Sequence, residues 1–110
     1  MNAADVGFVE ADIFTKRVLE ILSDEEYSAL QLSLIQKPDR GVLIPGGRGL
    51  RKLRWAMRGK GKSGGVRVIY YLSLRESLIY LVYVFKKSDK ADLSPKELII
   101  LADYVKEASL

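Results

Sequence analysis

An α+β fold, in which a helical hairpin and a closing helix pack on a small twisted antiparallel sheet, is predicted by three features of this 110-residue sequence. Two Ser-x-x-Glu signatures open helices, and two β-rich runs stand five residues apart. Apolar residues recur at helical spacing in the segments that follow these signatures and in the one before the first. With 48% apolar content there is material for one core, so residues 1–110 are expected to form a single compact domain.

Val6, Phe8 and Val9 make residues 6–10 a first strand. Phe14, Val18, Ile21 and Leu22 then place an amphipathic helix over residues 13–22. In Ser23-Asp24-Glu25-Glu26 the serine hydroxyl can accept from the Glu26 amide while Glu26 reaches back, a capping box that starts a second helix. Tyr27, Leu30, Leu34 and Ile35 supply its apolar stripe, and Pro38 disfavours helix at Lys37, ending it near Gln36. The two helices are expected to run antiparallel. Gly41, Gly46, Gly47, Gly49 and Pro45 mark residues 40–49 as a connecting loop. A strand over residues 50–56 puts Lys52 and Arg54 on one face, with Leu53 and Trp55 pointing elsewhere. After a basic, glycine-rich stretch at 58–65, residues 66–72 and 78–85 read as a β-hairpin. Ser94-Pro95-Lys96-Glu97 repeats the capping logic with proline at the first helical position, opening a last helix on Leu98, Leu101, Ala102 and Val105. The predicted order is β-α-α-β-β-β-α, with the basic residues on the sheet face away from the helices.

The chain has no cysteine and no histidine, which excludes disulfides and thiolate catalysis and disfavours a transition-metal site. Residues 1–12 carry three acidic side chains and no basic one, the reverse of a secretory signal. No apolar run approaches the roughly 18 residues of a membrane span. A cytoplasmic protein with no membrane partner is expected.

Net charge is +4, but its distribution is uneven. Residues 1–47 hold four basic and eight acidic side chains, residues 48–75 hold nine basic and none acidic, and residues 76–110 hold five basic and six acidic. A solvated face normally mixes signs. The middle segment therefore reads as a phosphate-binding surface, since each cation that neutralises a phosphate releases condensed counterions. Gly61-Lys62-Ser63 is no P-loop, because the first glycine of that motif would fall on Ala56 and a strand follows. Tyr70, Tyr71 and Tyr80 are expected mainly in packing, while Tyr83 is a candidate to stack on a base if it shares the basic face.

Residues 49–54 (Gly-Leu-Arg-Lys-Leu-Arg), 66–71 (Val-Arg-Val-Ile-Tyr-Tyr) and 82–87 (Val-Tyr-Val-Phe-Lys-Lys), in that order, resemble the central sheet of the RelE/HigB toxin family. The likeness extends over the preceding helices and the closing helix. It is greatest to the HigB-like branch, which has a Gly/Lys-rich loop similar to residues 58–65. The resemblance implies a ribosome-dependent, metal-independent endoribonuclease that cuts messenger RNA in the decoding site and needs no cofactor. Its implied partners are the 70S ribosome, messenger RNA and a cognate HigA-like helix-turn-helix antitoxin. Position by position, Lys52 matches a family lysine, Arg67 matches the arginine opening the next strand, and Lys87 stands where the family often has arginine. Arg54 and Lys86 match adjacent basic positions. In one departure, residues 88–95 contain no tyrosine, where some members place a catalytic one.

RNA cleavage by its own 2′-hydroxyl needs a base, stabilisation of the phosphorane charge and protonation of the 5′-oxygen, and lysines and arginines can supply all three. Lys52, crowded by Arg54 and Arg67, is the candidate base, because neighbouring cations disfavour a charged ammonium. Arg67, expected at a solvent-facing position, suits the transition state with its planar pair of donors. Lys87 or Lys86 would then act as acid or second clamp. Arg51, together with Arg58, Lys60 and Lys62 of the glycine-rich stretch, is expected to contact RNA. A half-buried antiparallel sheet needs a polar face in any case, so no single one of Arg51, Lys52, Arg54 and Arg67 is decisive. The concentrated set, with no carboxylate between its members, favours function. The same set also fits a non-catalytic RNA- or ribosome-binding module, or a degenerate toxin that only binds its antitoxin.

Overall fold

The computed structural model describes residues 6–56 and 65–109. In chain order these form β1 (Gly7–Glu10), α1 (Asp12–Ile21), α2 (Asp24–Gln36), β2 (Val42–Leu43), β3 (Leu50–Trp55), β4 (Val66–Ser73), β5 (Leu78–Lys86) and α3 (Pro95–Ala108). All five strands join one sheet in the order β1-β5-β4-β3-β2. Both predicted capping boxes close reciprocally: Ser23 Oγ accepts from the Glu26 amide and Ser94 Oγ from the Glu97 amide, each at 3.1 Å. Helix α2 ends at Gln36, ahead of Pro38.

Two features depart from the predicted sheet. It is mixed, because β1 pairs in parallel with β5 while the other neighbours are antiparallel. Part of the predicted loop also forms β2, two residues that pair with β3 as Val42↔Lys52 and Leu43↔Arg51. So short an element carries no readable period, and the surrounding glycines hide it. Where β1 stops, α1 continues its work on β5. The Ala11 amide donates to the Leu81 carbonyl at 2.9 Å, and one turn into α1 Arg17 Nε donates to the Val84 carbonyl at 2.7 Å. The edge carbonyls of β5 are thus satisfied as a buried backbone requires.

The core has two sides. On one, Phe14, Val18 and Leu22 of α1 and Leu30 and Leu34 of α2 cover Leu53, Val68, Tyr70, Leu81 and Val84. On the other, Leu101, Ala102 and Val105 of α3 cover Leu50, Ile69, Tyr80, Val82 and Phe85. A β-bulge makes this division possible. Ile69 stands opposite Tyr83 but Tyr70 opposite Leu81, so β5 carries one extra residue. Strict alternation would set Tyr80 and Tyr83 on opposite faces, whereas the bulge brings both to the α3 side.

Candidate active site and nucleic-acid interface

Strand register places Lys52 opposite Ile69 and Arg54 opposite Arg67. Ile69 belongs to the cluster under α3, so these basic residues share their sheet face with α3 and lie beyond its edge. This corrects the expectation that all helices cover the opposite face. The helix leaves the β3–β4 end of that face uncovered, and a cleft of about 260 Å³ opens there between Arg54, Trp55, Ala56, Gly65, Arg67 and Lys87. Gly65 lets the strands approach at that end: a Cβ on it would come within 2.9 Å of the Trp55 carbonyl oxygen. Its own carbonyl accepts from the Lys87 amide at 3.1 Å, fixing where β5 delivers Lys87.

Arg67 is 8% exposed, not solvent-facing as predicted. It nevertheless lines the cleft beside Arg54 and Lys87. Among the described residues its guanidinium makes one long hydrogen bond, Nη1 to the Val66 carbonyl at 3.4 Å, and no ion pair. Arg54 and Lys87 also lack an ion pair among the described residues. Like charges directly opposite on antiparallel strands repel. Arg54 against Arg67, with Lys87 in the same cleft, is therefore an arrangement that the fold tolerates at a cost and that an anion would relieve.

Lys52 is placed differently. Its Nζ donates to Asp92 Oδ2 at 3.0 Å, and Asp92 comes from the loop between β5 and α3. The bond to Lys52 holds the Asp92 carboxyl below the ordinary carboxylate range, assisted by the Leu93 amide and the positive charge of Arg67. Lys52 was expected to be crowded by cations alone, whereas a carboxylate stands against its ammonium group. Asp92 was missed because it lies 40 residues from Lys52 and carries no local signal.

A family model described as the RelE toxin of the RelE / RelB toxin–antitoxin system matches residues 14–109. The chain belongs to this RelE toxin family. The fold is similar to that of a solved structure of the Escherichia coli toxin RelE, an arginine-to-alanine mutant in the free state, at a TM-score of 0.61 and 16% identity over 94% of this chain and 98% of that one. This RelE-family toxin is thus the toxin component of a toxin–antitoxin system.

Two expected site residues of the toxin fall elsewhere, and a third is occupied by other contacts. Lys86 stands opposite Val66, which belongs to the α1/α2 side, so β5 turns it away from Lys87 and Arg67. Arg51 lies on that side too, and its Nη1 donates to the Gly41 carbonyl at 2.8 Å and the Asp39 carbonyl at 3.4 Å. It ties down the α2–β2 connection, as does Tyr70, whose buried hydroxyl donates to the Pro38 carbonyl and accepts from the Gly41 amide. Tyr83 does share the face of Ile69, but it is already engaged: Arg17 stands 5.0 Å and Lys90 5.6 Å from its ring centroid. Lys90 also pairs with Glu97, which raises the lysine and lowers the acid from their ordinary values. Arg58, Lys60 and Lys62 lie outside the described residues. Among the described residues no cluster of His, Cys, Asp or Glu could hold a metal ion, and no helix is long and apolar enough to cross a membrane.

Proposed function

We propose that this RelE-family toxin is a metal-independent endoribonuclease that cleaves messenger RNA on the 70S ribosome in the cytoplasm. The observation that carries the reading is the positive cleft, in which Arg54 and Arg67 face each other across β3 and β4 with Lys87 beside them, none of the three in an ion pair among the described residues. A scissile phosphate fits this cleft. Arg67 would stabilise the phosphorane oxygens with two donors of fixed geometry, Arg54 would clamp the phosphate, and Lys87 would protonate the departing 5′-oxygen. The 2′-hydroxyl gives its proton to solvent water as its oxygen bonds to phosphorus, the phosphorus–5′-oxygen bond breaks and the 5′-oxygen takes the Lys87 proton, leaving a 2′,3′-cyclic phosphate and a 5′-hydroxyl, and Lys87 regains its proton from solvent. Lys52 serves as a phosphate contact, not as the base. The basic, glycine-rich residues 58–65 support assignment to the HigB-like branch and a HigA-like helix-turn-helix antitoxin as partner.

The test uses 70S ribosomes programmed with a defined messenger, incubated with wild type and Arg67→Met. Methionine keeps the buried stem volume while removing the charge. Cleavage should fall by about a hundredfold or more in the variant, the scale of losing one transition-state donor. A folded Arg67→Met that cleaves at the wild-type rate overturns the assignment.

A second reading, a binding module or degenerate toxin without catalysis, is favoured by the capture of Lys52 by Asp92 and by the lack of a tyrosine in residues 88–95. Its signature in the same assay is translation arrest with intact RNA.

A further inference from the structure

A second cleft, of about 520 Å³, lies along the β2–β3 edge and shares only Arg54 with the first. One wall is aliphatic, made by Val42, Ile44 and Pro45. Val42 is 73% exposed although it stands directly across the ladder from Lys52. The other wall is polar, made by Lys52 and Arg54, with Asp92 closing over them. An aliphatic shelf beside cations matches the two halves of a nucleotide, an apolar base face and an anionic phosphate. The volume lies within the range of small-ligand pockets.

Asp92 shows where the anion goes. One of its carboxylate oxygens lies 3.0 Å from Lys52 Nζ, while the other accepts the Leu93 amide at 2.8 Å. A negatively charged oxygen therefore already stands on Lys52 in the free protein. The Asp92 side chain is 57% exposed, and ion pairs this open are weak and readily exchanged.

We propose that this cleft seats one nucleotide of the RNA, with its base on the Val42–Pro45 shelf and its phosphate on Lys52 and Arg54, and that Asp92 is an internal stand-in which the phosphate displaces. The seat deepens the RNA-cleavage reading and rests on it. It gives β2, too short to stabilise the sheet much, a part in recognition. It also makes the free toxin partly self-blocked.

The test measures binding of a fluorescent, uncleavable 2′-O-methyl oligoribonucleotide at fixed low salt. Asp92→Asn should tighten binding by about two- to fivefold, the scale of an exposed ion pair. The same change made on top of Lys52→Met should do nothing, because the pair it relieves is already gone. Val42→Ser should weaken binding several-fold without moving the thermal midpoint, since the side chain is exposed. Unchanged or weaker binding by Asp92→Asn overturns the stand-in, and wild-type affinity in Val42→Ser overturns the shelf. Should Val42→Ser instead weaken capture of a synthetic peptide of alternating Asp and Leu and leave RNA affinity unchanged, the cleft belongs to a protein partner and the nucleotide seat is wrong. Wild type that cleaves messenger while Asp92 and Val42 prove irrelevant removes the seat alone. Wild type that binds no RNA removes the cleavage reading with it.

Discussion

Arg67 is the residue on which the proposed chemistry rests, and its surroundings differ from those of the arginines that hold this fold together. A structural arginine in this chain looks like Arg51, whose guanidinium donates to two loop carbonyls, or Arg17, which caps the β5 edge. Arg67 is more buried than a solubilising residue needs to be, faces Arg54, and has no acid in direct contact among the described residues. Burial also means that Arg67→Ala would leave a void, which is why methionine is the cleaner probe. Gly49 shows how tightly the site strand is set. Its φ is +96° and a Cβ would lie 2.8 Å from Tyr71 Cε1, so Gly49→Ala should cost about 1 kcal/mol or more in urea unfolding. A midpoint equal to wild type would mean that the β2–β3 connection relaxes freely. At the same scale, the bond to Lys52 depresses the Asp92 carboxyl, so what the pair adds is present above the ordinary carboxylate range and is lost as pH falls below it. The RNA affinities of wild type and Asp92→Asn should accordingly converge in acid, and a difference that persists there would contradict the proposed exchange.

The helices and long strands were legible element by element. Capping boxes at Ser23 and Ser94 fixed two helix starts, Pro38 one helix end, and β-rich runs bounded by turn residues the three central strands. What escaped was anything set by non-local pairing. The parallel match of β1 to β5, the two-residue β2 and the bulge at Ile69/Tyr70 depend on partners distant in sequence. The site divides along the same line. Lys52 and Arg54 on one face follow from β3 alone, whereas the facing of Arg54 and Arg67, the turning-away of Lys86 and the arrival of Asp92 follow from register and loop path. The helix starts yield their own prediction: Ser94→Ala should cost about 1 kcal/mol by freeing the Glu97 amide and loosening α3. Packing between α1, α2 and β1 yields another. Burial, then the bond to Glu10, raises the Tyr27 phenol, and burial likewise raises Tyr70 and Tyr80. Groups raised in the fold contribute stability that is complete below the ordinary phenol value of about 10 and is lost as pH rises through their folded-state values. The urea midpoint should be flat from neutral pH to about 9 and fall above 10, less steeply in Tyr27→Phe. Equal alkaline slopes for both proteins would remove Tyr27 from that account.

At the scale of the whole molecule, charge is sorted by position. The acidic N-terminal segment supplies helices that cover one sheet face, while the basic middle segment supplies β3, β4 and the residues between them. Arg58, Lys60 and Lys62 join the two strands that carry Arg54 and Arg67. Changing all three to Ala should lower the salt dependence of ribosome association by about two units of log–log slope, with the cleavage rate at saturation nearly unchanged. The central claim, that the Arg54–Arg67–Lys87 cleft cuts messenger RNA, is tested most directly by induced expression in bacteria, with 5′-end mapping of cellular RNA, for wild type and Arg67→Met. The account predicts growth arrest and new 5′ ends within translated regions for wild type and neither for the variant. New ends at equal abundance from both proteins, or growth arrest by wild type without any new ends, would contradict it.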